Sequence, residues 1–137
     1  MACWLMKSEP DVFSWDDLVA KGRSDWDGVR NHQAAANLRE MKKGDRAFFY
    51  HSNIGLAVVG VMTVARTHYA DPTDPTGKWV AVEVKPVSPA KRPVTLAEIK
   101  AEPRLQHLPV VRMSRLSVSP VDDAAWALIC AMAGIKA

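Results

Sequence analysis

The chain has 137 residues, 48% of them hydrophobic and 24% charged, with a formal net charge of +3. That is the size and balance of one globular domain with one core, with no room for a second. No apolar run approaches the ~20 residues of a membrane span, and the first six residues lack the basic start and long apolar stretch of a secretory signal. A soluble cytoplasmic protein without membrane contact is expected.

Cys3 to Lys7 is a short apolar run closed by Ser8-Glu9-Pro10. It predicts a strand buried on both faces, with Lys7, Ser8 and Glu9 at its end. Ser14 and Asp17 form a capping pair bracketed by Phe13 and Leu18, so a short helix starts there and stops near Gly22. A polar loop, Arg23-Ser24-Asp25, leads to the segment Trp26 to Gln33, which holds Trp26, Arg30, Asn31, His32 and Gln33 within eight positions. Asn31 is a good N-cap. Behind it Ala34, Leu38 and Met41 recur at helical spacing, Gln33 and Asn37 share another face, and Gly44 supplies a left-handed stop. The plain alternative for this cluster is that Trp26 is core and the amides are caps and turn bonds.

Arg46 to His51 is aromatic-rich and predicts a strand, Ser52 to Gly55 a hairpin turn, and Ala57 to Val64 the partner strand, with Gly60 as a bulge or a point of close backbone approach. Asp71 to Gly77 reads as a stiff loop with two prolines. Trp79 to Val87 follows as a strand, with Val80, Val82 and Val84 on one face and Trp79, Ala81, Glu83 and Lys85 on the other. Thr95 and Glu98 make a second capping box for a helix that ends before Pro103. Ser114 to Ser119 alternates as a strand, with Leu116 and Val118 inward and Arg115, Ser117 and Ser119 outward. Asp122 caps a last helix whose inward stripe is Trp126, Ile129, Cys130 and Ala133, before Gly134. Hairpins and irregular loops with short helices between them predict an α+β domain around a curled, mainly antiparallel sheet or small barrel.

The chemistry-bearing motifs of common enzymes are missing: no nucleophile elbow, phosphate-binding glycine loop, dinucleotide fingerprint or zinc-protease helix occurs. Cys3 and Cys130 lie in apolar settings, and the four histidines share no metal spacing with a carboxylate, so neither metal nor cofactor is expected. An enzyme on a nucleoside or small amide would have to use Lys7, Glu9 or His51 as acid or base. A protein-interaction module is the remaining alternative. The basic residues Lys42-Lys43, Lys91-Arg92, Arg112 and Arg115 are dispersed, so a footprint for a polyanion has to be assembled by folding.

Taken in order, Trp4 to Pro10, Gly28-Val29-Arg30-Asn31, Gly44-Asp45, Phe49-Tyr50-His51-Ser52-Asn53, Asp71-Pro72-Thr73 and Ser114 to Val118 resemble an EVE domain. This family belongs to the PUA-like superfamily and is similar to YTH-type readers. The resemblance spans nearly the whole chain, so residues 1–137 are expected to form a single EVE domain. It implies a PUA-like small β-barrel of mostly antiparallel strands with peripheral short helices. It also implies modified DNA or RNA as the partner, met through a pocket for a flipped or unpaired base such as a 5-substituted cytosine; the sequence does not fix the oligomeric state, with a monomer favoured. Such a base needs a flat wall to stack on and directional groups for its edge. Trp26, Phe49, Tyr50 and Trp79 are the candidate walls, and Ser8, Asn31, His51 and Ser117 the candidate edge readers. Lys7, Arg30 and Arg115 would pair with phosphates or hold the carboxylate of Glu9.

The family pattern is matched as it stands at Lys7-Ser8-Glu9-Pro10, Arg30-Asn31, His51-Ser52 and Arg115-Leu116-Ser117. It is departed from at His32, Ala36 and Ser119, where tyrosine, asparagine and glutamine are usual. Several assignments stay open at this stage. Trp4 and Trp126 suit a core better than a pocket, Trp79 suits either, Glu9 can serve only to neutralise Lys7 or Arg115, and His51 can be a satisfied strand-end histidine.

Overall fold

Parallel pairing of two strands that the sequence keeps far apart sets the plan of the molecule. The computed structural model describes residues 2–136, so the terminal Met1 and Ala137 of the expected domain lie outside the described residues. The strands are β1 (Cys3–Ser8), β2 (Ser24–Trp26), β3 (Arg46–His51), β4 (Ala57–Ala70), β5 (Val80–Thr95) and β6 (Val118–Val121). The helices are α1 (Trp15–Lys21), α2 (His32–Glu40), α3 (Leu96–Ala101), α4 (Pro109–Arg112) and α5 (Asp123–Ala133), with a 3-10 turn at Pro103–Leu105. All six strands join one sheet in the order β2-β5-β4-β3-β1-β6. Only β1 and β3 run parallel; the other pairings are antiparallel. The α+β class with short helices is therefore as expected. The barrel is not: the sheet is not closed, and β2 and β6 remain its two edges.

Strand alternation divides the core in two. Trp4, Met6, Ala47 and Phe49 face α1 and α2. Leu5, Phe48 and Tyr50 face α3, α4 and α5. β1 is thus buried on both faces, as its continuous apolar run requires. Local signals hold where they were read. Ser14 and Thr95 open α1 and α3 with complete capping boxes, and Asn31 and Asp122 cap α2 and α5. Gly60 sits at a register shift, and a Cβ there would stand 2.7 Å from ring atoms of Trp15, so the glycine is needed for the indole to pack on the strand. Trp4 is core, its Nε1 donating to the buried Asp45 at 3.1 Å.

Other expectations change. Ser24 and Asp25 are not loop but part of β2, which exists because Trp26 pairs with Val82 of β5. β5 runs to Thr95 through three prolines; register shifts absorb them, with Ala90 to Pro93 opposite Val59 alone. α2 ends at Met41 in extended conformation, and Gly44, at φ 92, forms the following turn instead of the helix stop. Ser114 to Ser117 are not strand: Leu116 turns back on Met113, and pairing with β1 begins at Val118. Among the described residues, no helix is long and apolar enough to cross a membrane.

Candidate functional site

Because β1 and β3 are parallel and in register, their C-terminal ends arrive together, with Lys7 beside Tyr50 and Ser8 beside His51. The half-buried Lys7 ammonium donates to the Ser114 carbonyl at 2.9 Å and lies 5.8 Å from the Tyr50 ring centre. Burial pulls its pKa down. Ser8 Oγ donates to the Phe13 carbonyl at 2.6 Å, and the Ser8 carbonyl accepts from Ser52 N–H. Ser8 and Ser52 therefore shape the turn that follows β1. His51 accepts the backbone N–H of Trp15 through Nε2 at 3.1 Å, and burial lowers its pKa against a smaller opposing effect of Asp16. The imidazole is a satisfied strand-end group, not an open edge reader. Glu9 is exposed and makes no ion pair among the described residues, so it neither neutralises Lys7 or Arg115 nor completes an acid–base set.

A cavity of about 310 Å³ opens beside these strand ends, lined by Lys7, Ser8, Val12, Phe13, Lys21, Ser24, Asp25, Trp26 and Asp27. Its aromatic surfaces are Phe13 and Trp26. Both rest on Phe49, at ring-centre distances of 6.3 Å and, edge to face, 5.3 Å. Phe49 is 0% exposed and Tyr50 2% exposed on the opposite face of the sheet. Phe49 therefore supports the wall and Tyr50 belongs to the other core; neither is a stacking surface. The rim carries both signs of charge. Asp27 has its carboxyl pushed upward, first by partial desolvation at the cavity rim and then by Asp71 and Asp25. Asp25 accepts from the Tyr69 hydroxyl. A larger depression of about 600 Å³ between β5 and the C-terminal residues has no aromatic side chain in its lining, which includes Arg46, Val87, Lys91 and Ile135.

The loop after Trp26 is fastened by Asp71, whose side chain is 0% exposed. One carboxylate oxygen accepts from Gly28 N–H at 2.8 Å and Arg30 Nη1 at 2.9 Å; the other accepts from Thr73 N–H and Oγ1, both at 2.7 Å. Burial alone would raise its pKa, but the bonds from Thr73, Arg30 and Gly28 prevail and hold it at about 2. Arg30 is thus committed to Asp71, not to Glu9. Asn31 Oδ1 caps α2 through Ala34 N–H at 2.9 Å. With Gln33, Arg112, Met113, Ser114, Arg115 and Leu116, Asn31 lines a second depression of about 380 Å³. The Lys7 ammonium, bonded to Ser114, joins the two hollows. Ser117 lines neither; its carbonyl accepts from Lys7 N–H at 2.8 Å. Trp79 lies in a third place, against His32, Arg30 and Lys78.

The expected single slot is therefore resolved into a cavity, a groove and a shelf. Besides Val12, Lys21 and Ser24, the cavity residues that the sequence reading did not select are Phe13, Asp25 and Asp27. Their one signal was position, at the turn after Pro10 and on either side of Trp26. Of the three departures from the family pattern, Ala36 is exposed, Ser119 is buried beside Leu5 in the sheet, and only His32 reaches one of these neighbourhoods.

Comparison with known proteins identifies the fold and the family. The NMR structure of Rpa0253 from Rhodopseudomonas palustris is 52% identical, with a TM-score of 0.92 over 98% of this chain and 94% of that one. Thymocyte nuclear protein 1 of Homo sapiens is 36% identical over 154 aligned positions, 88% of this chain and 68% of that protein. The human THYN1 protein, crystallised in complex with 5-methylcytosine containing DNA, is 32% identical with a TM-score of 0.91 over 100% of both chains. A YTH domain from Zygosaccharomyces rouxii, 14% identical at a TM-score of 0.62, shares the fold. The EVE domain family model matches residues 2–132, and the chain belongs to that family.

Proposed function

We propose that this protein is a non-catalytic reader of a modified nucleic-acid base, with a 5-substituted cytosine as its first candidate, and that the base enters the Phe13–Trp26 cavity. The observation that carries the reading is the pairing of flat aromatic surface with a charged rim in one hollow at the ends of β1 and β2. An extruded base needs both. The Asp27 carboxylate at the rim would accept from an exocyclic amine, the contact that suits cytosine N4, while Lys7 keeps protons free to donate to a ring or carbonyl acceptor. Val12 and Phe13 offer an apolar edge for a substituent at C5. Arg112 and Arg115 in the neighbouring groove, and Lys21 at the cavity itself, would meet phosphates. The complex of human THYN1 with 5-methylcytosine containing DNA, on a chain that superposes along its whole length, supports the same reading.

The acid–base alternative is less favoured, since His51 Nε2 is occupied by Trp15 and Glu9 points to solvent. Titration of the protein with matched DNA and RNA oligonucleotides, with and without 5-methylcytosine, tests the proposal. Tighter binding of a modified strand is expected, with the preference lost in Trp26→Ala. Equal affinity for every modified and unmodified strand would overturn it.

A further inference from the structure

Trp79 is half-buried, with one side against the core and the rest outside the cavity, and it collects positive charge. The His32 ring lies 4.9 Å from it at 35°, the Lys78 ammonium 4.9 Å and the Arg30 guanidinium 5.9 Å. The loop that carries the indole is stiff. Asp74 accepts from Trp79 N–H at 2.8 Å, Lys78 N–H at 2.9 Å and Thr76 N–H at 2.8 Å, and Trp79 O accepts from Asp71 N–H at 3.0 Å.

The two acids of the loop, Asp71 and Asp74, stay ionised with their oxygens turned into the loop's own N–H and hydroxyl donors, whereas the Lys78 ammonium has no carboxylate partner among the described residues. The result is a rigid aromatic shelf with one cation at its rim, Lys78, that no carboxylate pairs among the described residues. That combination receives an unpaired base on its face and a phosphate at its edge.

The shelf and the cavity share one loop. Asp27 lines the cavity and Arg30 the shelf, and three residues of chain span at most about 11 Å. One nucleic-acid strand can therefore touch both. We propose that the Trp79–His32 shelf is a second binding site, which stacks an unpaired nucleotide flanking the base held in the cavity, with Lys78 on its phosphate. This inference rests on the reading of the protein as a base reader, and extends it from a single base to a short stretch of strand.

The test compares 5-methyl-2′-deoxycytidine nucleoside with a short single strand carrying 5-methylcytosine at its centre, and the same strand with plain cytosine. The RNA counterpart decides between sugar types. Trp79→Ala is expected to weaken strand binding about tenfold, the scale of one lost base–aromatic stack. It should leave nucleoside binding and the preference for the modified strand unchanged, and Trp79→Phe should restore most of the loss.

Because Trp79 also packs on the core, the double variant His32→Ala/Lys78→Gln at two exposed positions provides an independent reading. It should weaken strand binding and flatten the dependence of log affinity on log salt by ~0.7, one phosphate contact on a single strand. If wild-type protein prefers the modified strand but the double variant and Trp79→Phe/Ala series leave affinity and salt slope unchanged, the shelf is overturned and the reader stands. If wild-type protein binds none of the strands, both fall together.

Discussion

His51 closes the N-terminus of α1: its Nε2 accepts the backbone N–H of Trp15 at 3.1 Å while its ring stands edge-on to Phe49 at 5.6 Å. A nitrogen that accepts cannot carry a proton, so the fold selects the neutral imidazole, and burial lowers its pKa from 6.5. Between 6.5 and that lowered value the unfolded chain binds more protons than the folded one. Stability contributed here is therefore complete above about pH 7 and declines as pH falls through 6.5. Thermal melts across pH 5 to 8 should show this slope, and His51→Gln should reduce it. His51→Ala should cost roughly 1 kcal/mol at pH 7.5 by leaving a helix N–H without its acceptor, and should leave the base preference unaltered.

Asp71 makes a prediction in a different pH range. Its carboxyl is lowered from 3.8 to about 2, so the stability it contributes is present above pH 4 and lost as pH falls through 2. The shift corresponds to about 2 kcal/mol. Urea titrations between pH 2 and 5 should lose stability on acidification in wild type and less so in Asp71→Asn. At neutral pH, Asp71→Ala should cost about 3 kcal/mol, because Arg30, Gly28 and Thr73 lose their shared acceptor together.

What was legible in the sequence was local. The Ser14–Asp17 and Thr95–Glu98 boxes, the Asn31 and Asp122 caps and the β3–β4 hairpin are each encoded within a few residues, and they appear where they were read. β2 was not legible, since three residues carry little pattern and only their partner on β5 makes them a strand. The site failed for a related reason. Phe49 and Tyr50 are adjacent in sequence, so alternation sends them to opposite cores. Charge alone offers Arg30 a phosphate or Glu9, while the carboxylate that claims it lies 41 residues away. Lys7, Ser8 and Trp26, by contrast, line one cavity.

Gly60 tests how tightly α1 is seated on the sheet. An added methyl would lie 2.7 Å from three Trp15 ring atoms, and both residues are buried, so neither can yield without moving α1 or β4. Gly60→Ala should destabilise the protein by about 1–3 kcal/mol in urea unfolding, the usual cost of overpacking. A Trp15→Leu background removes the ring, and the same glycine substitution should then cost markedly less; the difference is the coupling energy of the pair.

Asp27 separates recognition from folding. It is exposed, so Asp27→Asn should leave the unfolding free energy within ~1 kcal/mol of wild type. If its carboxylate accepts from the exocyclic amine of the read base, the substitution should cost about 1–3 kcal/mol of preference for cytosine over uracil or thymine in competition titrations. Its raised pKa adds a second signature: the acceptor is lost at a higher pH than an ordinary aspartate would be, while Asp71 is still ionised and the loop still fastened. Preference should therefore fade on acidification in wild type before the protein unfolds. In Asp27→Asn the same acid range should produce no further loss from this group; an identical decline in both proteins would place the amine acceptor elsewhere in the cavity.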